Sequence, residues 1–184
     1  MKHQKMIGVA FAGLLGLALP AAAEEGAQRG DAAIQRDAER AILGYTYYGV
    51  FDAVGVAVQD GQVTLVGSVN QPYRKVDIER RVARVAGVRA VVNTIEVQPV
   101  SFHDDGLRAE LVRAIYGRGV LVNPSLVDPP VRIIVNNGRI TLLGFVNSEV
   151  EKQMLGHIAR GTLSFGVDNQ LKLEGEREAD RKSD

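Results

Sequence analysis

Few residues in this chain are of types that do chemistry, and their spacing argues against catalysis. Cysteine is absent, which excludes disulfides, thiolate metal sites and a cysteine nucleophile. His103 and His157 fall at unrelated positions in the two halves, in no metal-ligand spacing. Ser68 and Ser148 lack the context of a nucleophile elbow, and no glycine-rich phosphate loop occurs. Asp104 and Asp105 are the notable adjacent acids of the folded region, and a helix cap accounts for them. No enzyme activity, cofactor or metal is expected.

What remains is charge. Arg74, Lys75, Arg80, Arg81, Arg84 and Arg89 stand against Asp77 and Glu79, six cations to two acids and a local charge of +4. A basic helix face attracts anionic head groups at roughly 1 kcal/mol per residue near a charged membrane. Four net charges therefore supply about 4 kcal/mol, a millimolar affinity, so charge alone gives weak, reversible attachment. The plainer reading of these residues is a solvated face with local ion pairs. Stable attachment needs apolar insertion as well, which Tyr45 to Phe51 or the loop from Leu121 to Val127 can offer. The same tyrosines also suit a helix end packed on a sheet.

The elements that position these residues come in duplicate. Asp60-Gly61-Gln62-Val63-Thr64-Leu65-Val66-Gly67-Ser68-Val69-Asn70 returns as Asn137-Gly138-Arg139-Ile140-Thr141-Leu142-Leu143-Gly144-Phe145-Val146-Asn147. Asp-Gly and Asn-Gly supply the two positive-φ positions of a type I′ turn, whose twist suits the strands beside it. Alternating residues flank each turn: Val54, Val56 and Val58 before the first, Val131, Ile133 and Val135 before the second. A repeat of this length means two copies of one small domain.

Around each hairpin the order is helix, strand, strand, helix, strand. Ile34, Ala38, Ala41, Ile42 and Tyr45 lie on one helical face, with Asp31 as N-cap and Gly44 or Gly49 as terminator. Pro72 opens the next helix, Ile78, Val82 and Val85 continue it, and Gly87 stops it. Val91, Asn93, Ile95 and Val97 alternate as one strand. In the second copy Leu107, Leu111, Ala114 and Ile115 form a helix capped by Asp104 or Asp105. Ser148 and Glu151 form a capping box, and Met154, Leu155 and Ile158 give the following helix its apolar side. Val167, Asn169, Leu171 and Leu173 close the unit. Mid-strand Gly67 and Gly144 predict a bulge or a close helix contact.

Residues 31–99 and 103–174 bound the two domains, and 175–184 form a charged tail. A domain of this size is marginal alone, so the two are expected to pack together. A formal charge of +0 and no long basic run leave no nucleic-acid footprint. Lys2, His3 and Lys5, the apolar run from Met6 to Leu19 and Ala21-Ala22-Ala23 read as a secretory signal peptide, residues 1–23, cleaved after Ala23. A soluble, slightly acidic product outside the cytoplasm is expected, with no membrane span after cleavage.

The repeated motif, with Val63-Thr64-Leu65-Val66-Gly67-Ser68-Val69 and Ile140-Thr141-Leu142-Leu143-Gly144-Phe145-Val146 after the turns, resembles the BON (bacterial osmotically inducible and nodulation) domain family. Val82 to Asn93 is similar to that family's closing pattern, from which the second copy departs by having Leu163-Ser164 in place of Gly87-Val88. The resemblance implies an α+β fold of two tandem αββαβ sandwiches, each a small mixed three-stranded sheet covered by two helices. It implies a periplasmic, non-enzymatic module of the cell envelope, linked to osmotic or envelope stress. The partner it implies is an anionic phospholipid surface, through Arg74, Lys75, Arg80, Arg81 and Arg84, or else an envelope protein.

Overall fold

The computed structural model describes residues 30–117, 119–121, 125–126 and 129–176. The expected signal peptide (1–23) and residues 177–184 of the expected tail lie outside the described residues, as does part of the loop before Pro129. The element order is α1 (Asp31–Leu43), β1 (Ala53–Gln59), β2 (Gln62–Val69), α2 (Pro72–Val82), β3 (Ala90–Asn93) and β4 (Glu96–Val97), then α3 (Phe102–Tyr116), β5 (Val131–Asn136), β6 (Arg139–Val146), α4 (Glu149–Arg160) and β7 (Gly166–Leu173). Each half is a mixed sheet: an antiparallel hairpin, with a third strand parallel to the hairpin's second. Two helices cover one face.

The hairpin turns form as their residue types require. Asp60 and Gly61 take φ of 51° and 75°, Asn137 and Gly138 of 50° and 73°, and a left-handed pair matches the strands' own twist. Behind each turn stands a long-range anchor. The Asp31 carboxylate accepts from the Asp60 and Gly61 N–H groups at 2.7 and 2.9 Å. Asp104 does the same for Asn137 and Gly138 at 2.9 and 2.8 Å. Neither residue is the N-cap expected of it. Those positions belong to Gly30 and Ser101, and the Ser101 hydroxyl accepts from the Asp104 N–H. Carboxylates near helix N-termini are favoured in any case, and here the acid also ties the helix to the turn.

Gly67 and Gly144 have φ of 113° and 123°. A β-carbon there would collide with the carbonyl oxygens of Ala53 and Pro130. The close approach is therefore to the neighbouring strand's backbone, not to a helix. Four further expectations are corrected. Helix α2 ends at Val82, and the chain continues in tight turns in which Arg84, Val85 and Val88 donate three residues back. The strand expected through Val91 to Val97 is broken: both the N–H and the hydroxyl of Thr94 bond the Leu65 carbonyl, and Ile95 turns into the core. On α4, Met154 faces solvent while Leu155 and Ala159 are buried. The capping pair also shifts: Ser148 accepts from the Glu151 N–H, but Glu151 accepts from Asn147 and not from Ser148.

Two apolar cores result, and they are not partitioned as the repeat is. The first gathers Ile34, Ala38, Ile42, Val63, Leu65, Ile78 and Val82. The second gathers Leu107, Leu111, Ile115, Val131, Ile133, Leu142 and Leu155, together with Val50 from the first copy and Phe51 packed against it. The Val50 carbonyl accepts from Ile133 N–H at 2.8 Å, on the outer side of β5. Polar bonds reinforce this seam. Arg132 donates to the carbonyls of Gly49 and Asp52, its guanidinium lying 4.2 Å from the Tyr48 ring centre. Buried Arg108 donates to Gln98 Oε1 and to the Val135 carbonyl, while Gln98 donates to the Phe51 carbonyl.

Candidate functional site

The basic residues of α2 do not form one solvated face. Arg74 turns inward to Asp52, which is fully buried, in an ion pair of 2.5 Å. Asp52 also accepts from the N–H groups of Gly49 and Asn70. Burial pulls the Arg74 pKa down, but Tyr73 and Asp52 more than offset this and hold it above its ordinary value. Arg74, expected among the head-group contacts, is thus a permanently charged strut whose guanidinium is turned to Asp52. Lys75 is half-buried, and its carbonyl accepts from Asn93 Nδ2. Arg81 lies over the Tyr45 ring, 4.8 Å from its centre. Arg80 is exposed beside Asp77 at 3.7 Å. Arg84 sits past the end of the helix, and Arg89 packs over Gly61 at the hairpin turn.

What the structure adds is an aromatic and aliphatic companion to the outermost cations. Tyr73, Val76 and Arg80 follow one another at i, i+3 and i+7 and share the outer side of α2. The chain leaving α1 brings Tyr47 beside Tyr73, edge to face at 6.3 Å, and Tyr45 beside Tyr47 at 5.7 Å. Tyr47 and Tyr73 are 60% and 48% exposed, and Leu43 and Val76 are exposed with them. Tyr45 plays a different part: it is buried and donates to Asp77 at 2.6 Å. Burial, then that hydrogen bond, pushes its phenol up to about 12. The expected choice between an interfacial and a packing role thus divides within one segment: Tyr45 and Tyr48 pack, Tyr47 faces water. Residue spacing alone missed this grouping, because Tyr47 and Tyr73 meet only when α1 and α2 pack side by side. The second candidate stretch, Leu121 to Val127, lies partly outside the described residues; Leu121 itself is buried in the second core.

The second copy carries a different apolar surface at its hairpin end. Phe102, Leu163 and Phe165 are 99%, 86% and 74% exposed. Phe165 covers the Gly138 turn and stacks on His103 at 5.4 Å, so that histidine is packed against a ring and not set in a ligand cluster. Between the copies, the helix-free faces of the two sheets border an open cleft lined by Val66, Ser68 and Thr94 on one side and Ile134, Thr141 and Leu143 on the other. Among the described residues no three His, Cys, Asp or Glu side chains are grouped to hold a metal ion. Among those residues, too, no helix is long and apolar enough to cross a membrane.

Two solved structures of CdsD, a structural protein of the type III secretion system of Chlamydia trachomatis, resemble the chain. Its C-terminal domain is 14% identical over 75% of this chain and 96% of that one, with a TM-score of 0.29. The second structure is 15% identical over 80% and 96%, also with a TM-score of 0.29. No curated protein matches. The family model of the BON domain matches twice, at residues 30–99 and 104–175, the two halves that repeat one hairpin, one turn anchor and one strand glycine; the chain belongs to the BON domain family, as a tandem of two such domains.

Proposed function

We propose that this chain is a non-enzymatic binding module of the cell envelope, exported to the periplasm by residues 1–23, whose first domain rests on anionic phospholipid surfaces under envelope or osmotic stress. One observation carries the reading: exposed Tyr47 and Tyr73 are in ring contact, and exposed Val76 and Arg80 follow Tyr73 on the same side of α2. Cations alone contribute roughly 1 kcal/mol each near an anionic leaflet, and salt screens them within about 8 Å. Aromatic rings with one apolar and one wet edge settle at the head-group level and add the apolar term that charge lacks. Arg81, over the Tyr45 ring, borders this surface, and Lys75 and Arg84 add positive charge to the same helix region, whereas Arg74 is held by Asp52.

Sedimentation with vesicles tests it. The protein is expected to co-sediment with vesicles rich in anionic lipid and not with neutral ones. Arg80→Glu with Arg84→Glu should cut the bound fraction about tenfold, and Tyr47→Ser with Tyr73→Ser should cut it comparably. Equal binding to neutral vesicles, or none to either, overturns the proposal. A second reading, a protein-interaction module without lipid contact, draws on the exposed Phe102, Leu163 and Phe165, since large apolar side chains left in water are what an interface covers. It predicts no vesicle binding, and recovery of an envelope protein on cross-linking that Phe165→Ser abolishes.

A further inference from the structure

Each sheet of the tandem ends in a parallel strand on the side away from its hairpin, and the two copies treat that edge differently. In the first copy the edge is interrupted. Thr94 bonds the Leu65 carbonyl with both its N–H and its hydroxyl, Ile95 dives into the core, and strands of four and two residues remain. The second copy has no such interruption. β7 runs unbroken for eight residues, each with a partner on β6. It closes the order β5-β6-β7, so no strand borders its far side among the described residues. The opposite edge of that sheet, β5, is met by the Val50 carbonyl at the seam between the copies. α4 packs on β7, and the alternate residues Asp168, Gln170 and Lys172 are exposed. A long edge with no strand beside it recruits strands from other chains unless it is blunted. The first copy has the blunting break, and the second lacks it.

The sequence of β7 matches itself. In an antiparallel pair of two β7 strands centred on Gln170, alternation sets Asp168 opposite Lys172 of the second copy and Lys172 opposite its Asp168. On the helix-covered side the same register sets Val167 opposite Leu173, two half-buried apolar residues. Asp168, Gln170 and Lys172 are exposed on the helix-free side. Within one strand Asp168 and Lys172 stand roughly 13 Å apart, and Asp168 accepts from Gln170 Nε2 at 2.5 Å, so pairing across two copies adds a charge contact to what each side chain already makes. Directly opposite side chains on neighbouring strands come within about 5 Å. Two-fold symmetry produces each of these contacts twice, as an isologous interface requires.

We propose that this protein dimerises through β7, two copies pairing edge to edge about a two-fold axis at Gln170 so that two three-stranded sheets become one of six strands. Such a seam is smaller than the roughly 1,600 Å² of a standard interface, so the dimer is reversible and concentration-dependent. Sedimentation equilibrium of the purified chain, across micromolar to millimolar concentrations at low and high salt, measures it. Lys172→Asp alone and Asp168→Lys alone each place like charges opposite one another twice, and each should weaken dimerisation at least tenfold. Asp168→Lys combined with Lys172→Asp reverses both partners and should restore it. Both positions are exposed, and circular dichroism checks that each variant stays folded. A parent that remains monomeric throughout, a dimer that survives either single reversal, or a double variant that stays monomeric overturns the proposal.

Discussion

The two domains share their framework and differ in what they leave outside it. In both, an acid in the first turn of the leading helix grips the hairpin turn, through Asp31 and Asp104. In both, a mid-strand glycine admits the neighbouring carbonyl. In both, an asparagine on the strand after the second helix, Asn93 or Asn169, donates to a carbonyl of that helix, Lys75 or Lys152. These are the places where backbone groups must be satisfied or brought unusually close, so the same solution recurs. The surfaces diverge. Where the first copy lays Arg89 over its hairpin turn, the second lays Phe165; where the first breaks its edge strand, the second keeps eight residues straight. The duplicated part is what one small sandwich needs to close. The divergent part is what each copy presents to its surroundings.

The framework half of this comparison is tested most harshly at the glycines. Gly67→Ala and Gly144→Ala should each destabilise the protein by about 3 kcal/mol or more, because each strains a positive φ and drives a methyl into a carbonyl oxygen. Urea titration followed by circular dichroism measures this; a cost near zero in one copy would show that the shared strand geometry is not a shared necessity. A smaller effect separates the copies. Asp104 is fully buried and Asp31 only partly so. Asp104→Ala should therefore cost about 3 kcal/mol and Asp31→Ala about 1 kcal/mol, since unsatisfied donors are costly mainly where water cannot replace the lost partner. Equal losses would mean that burial does not set the difference.

The smallest effect addresses the seam. Val50 belongs to the first copy by sequence and to the second core by packing. Val50→Ala should cost about 1.5 kcal/mol at roughly 0.8 kcal/mol per buried methylene equivalent. Amide hydrogen exchange should quicken in β5 before it quickens in β1. Loss of protection in β1 alone would return Val50 to its own domain.

Much of this fold is legible in the residues, for local reasons. Alternation before and after Asp60-Gly61 and Asn137-Gly138 marks the hairpins, because period two and positive φ are properties of neighbouring residues. Helical spacing locates α1, α2, α3 and α4 in the same way. It fails where a distant group takes over. Val85 keeps the spacing of α2, yet the helix stops at Val82. Val91 to Val97 keeps a strand's alternation, yet Leu65 captures Thr94 and breaks it. At the candidate site the cations of α2 are visible in sequence, but their fates are not: Arg74 is claimed by Asp52, 22 residues away.

The amino-acid sequence by itself determined the duplication, the hairpins, the α+β class and the family, because each rests on patterns confined to a few adjacent residues. Only the tertiary structure decided that Tyr47 and Tyr73 stand together in water, that Asp31 and Asp104 hold turns and cap no helix, and that Val50 completes the second core. Those outcomes depend on which surfaces meet when elements far apart in the chain exclude water together. Burial of that kind is a property of the packed assembly and is not written in any one segment's spacing.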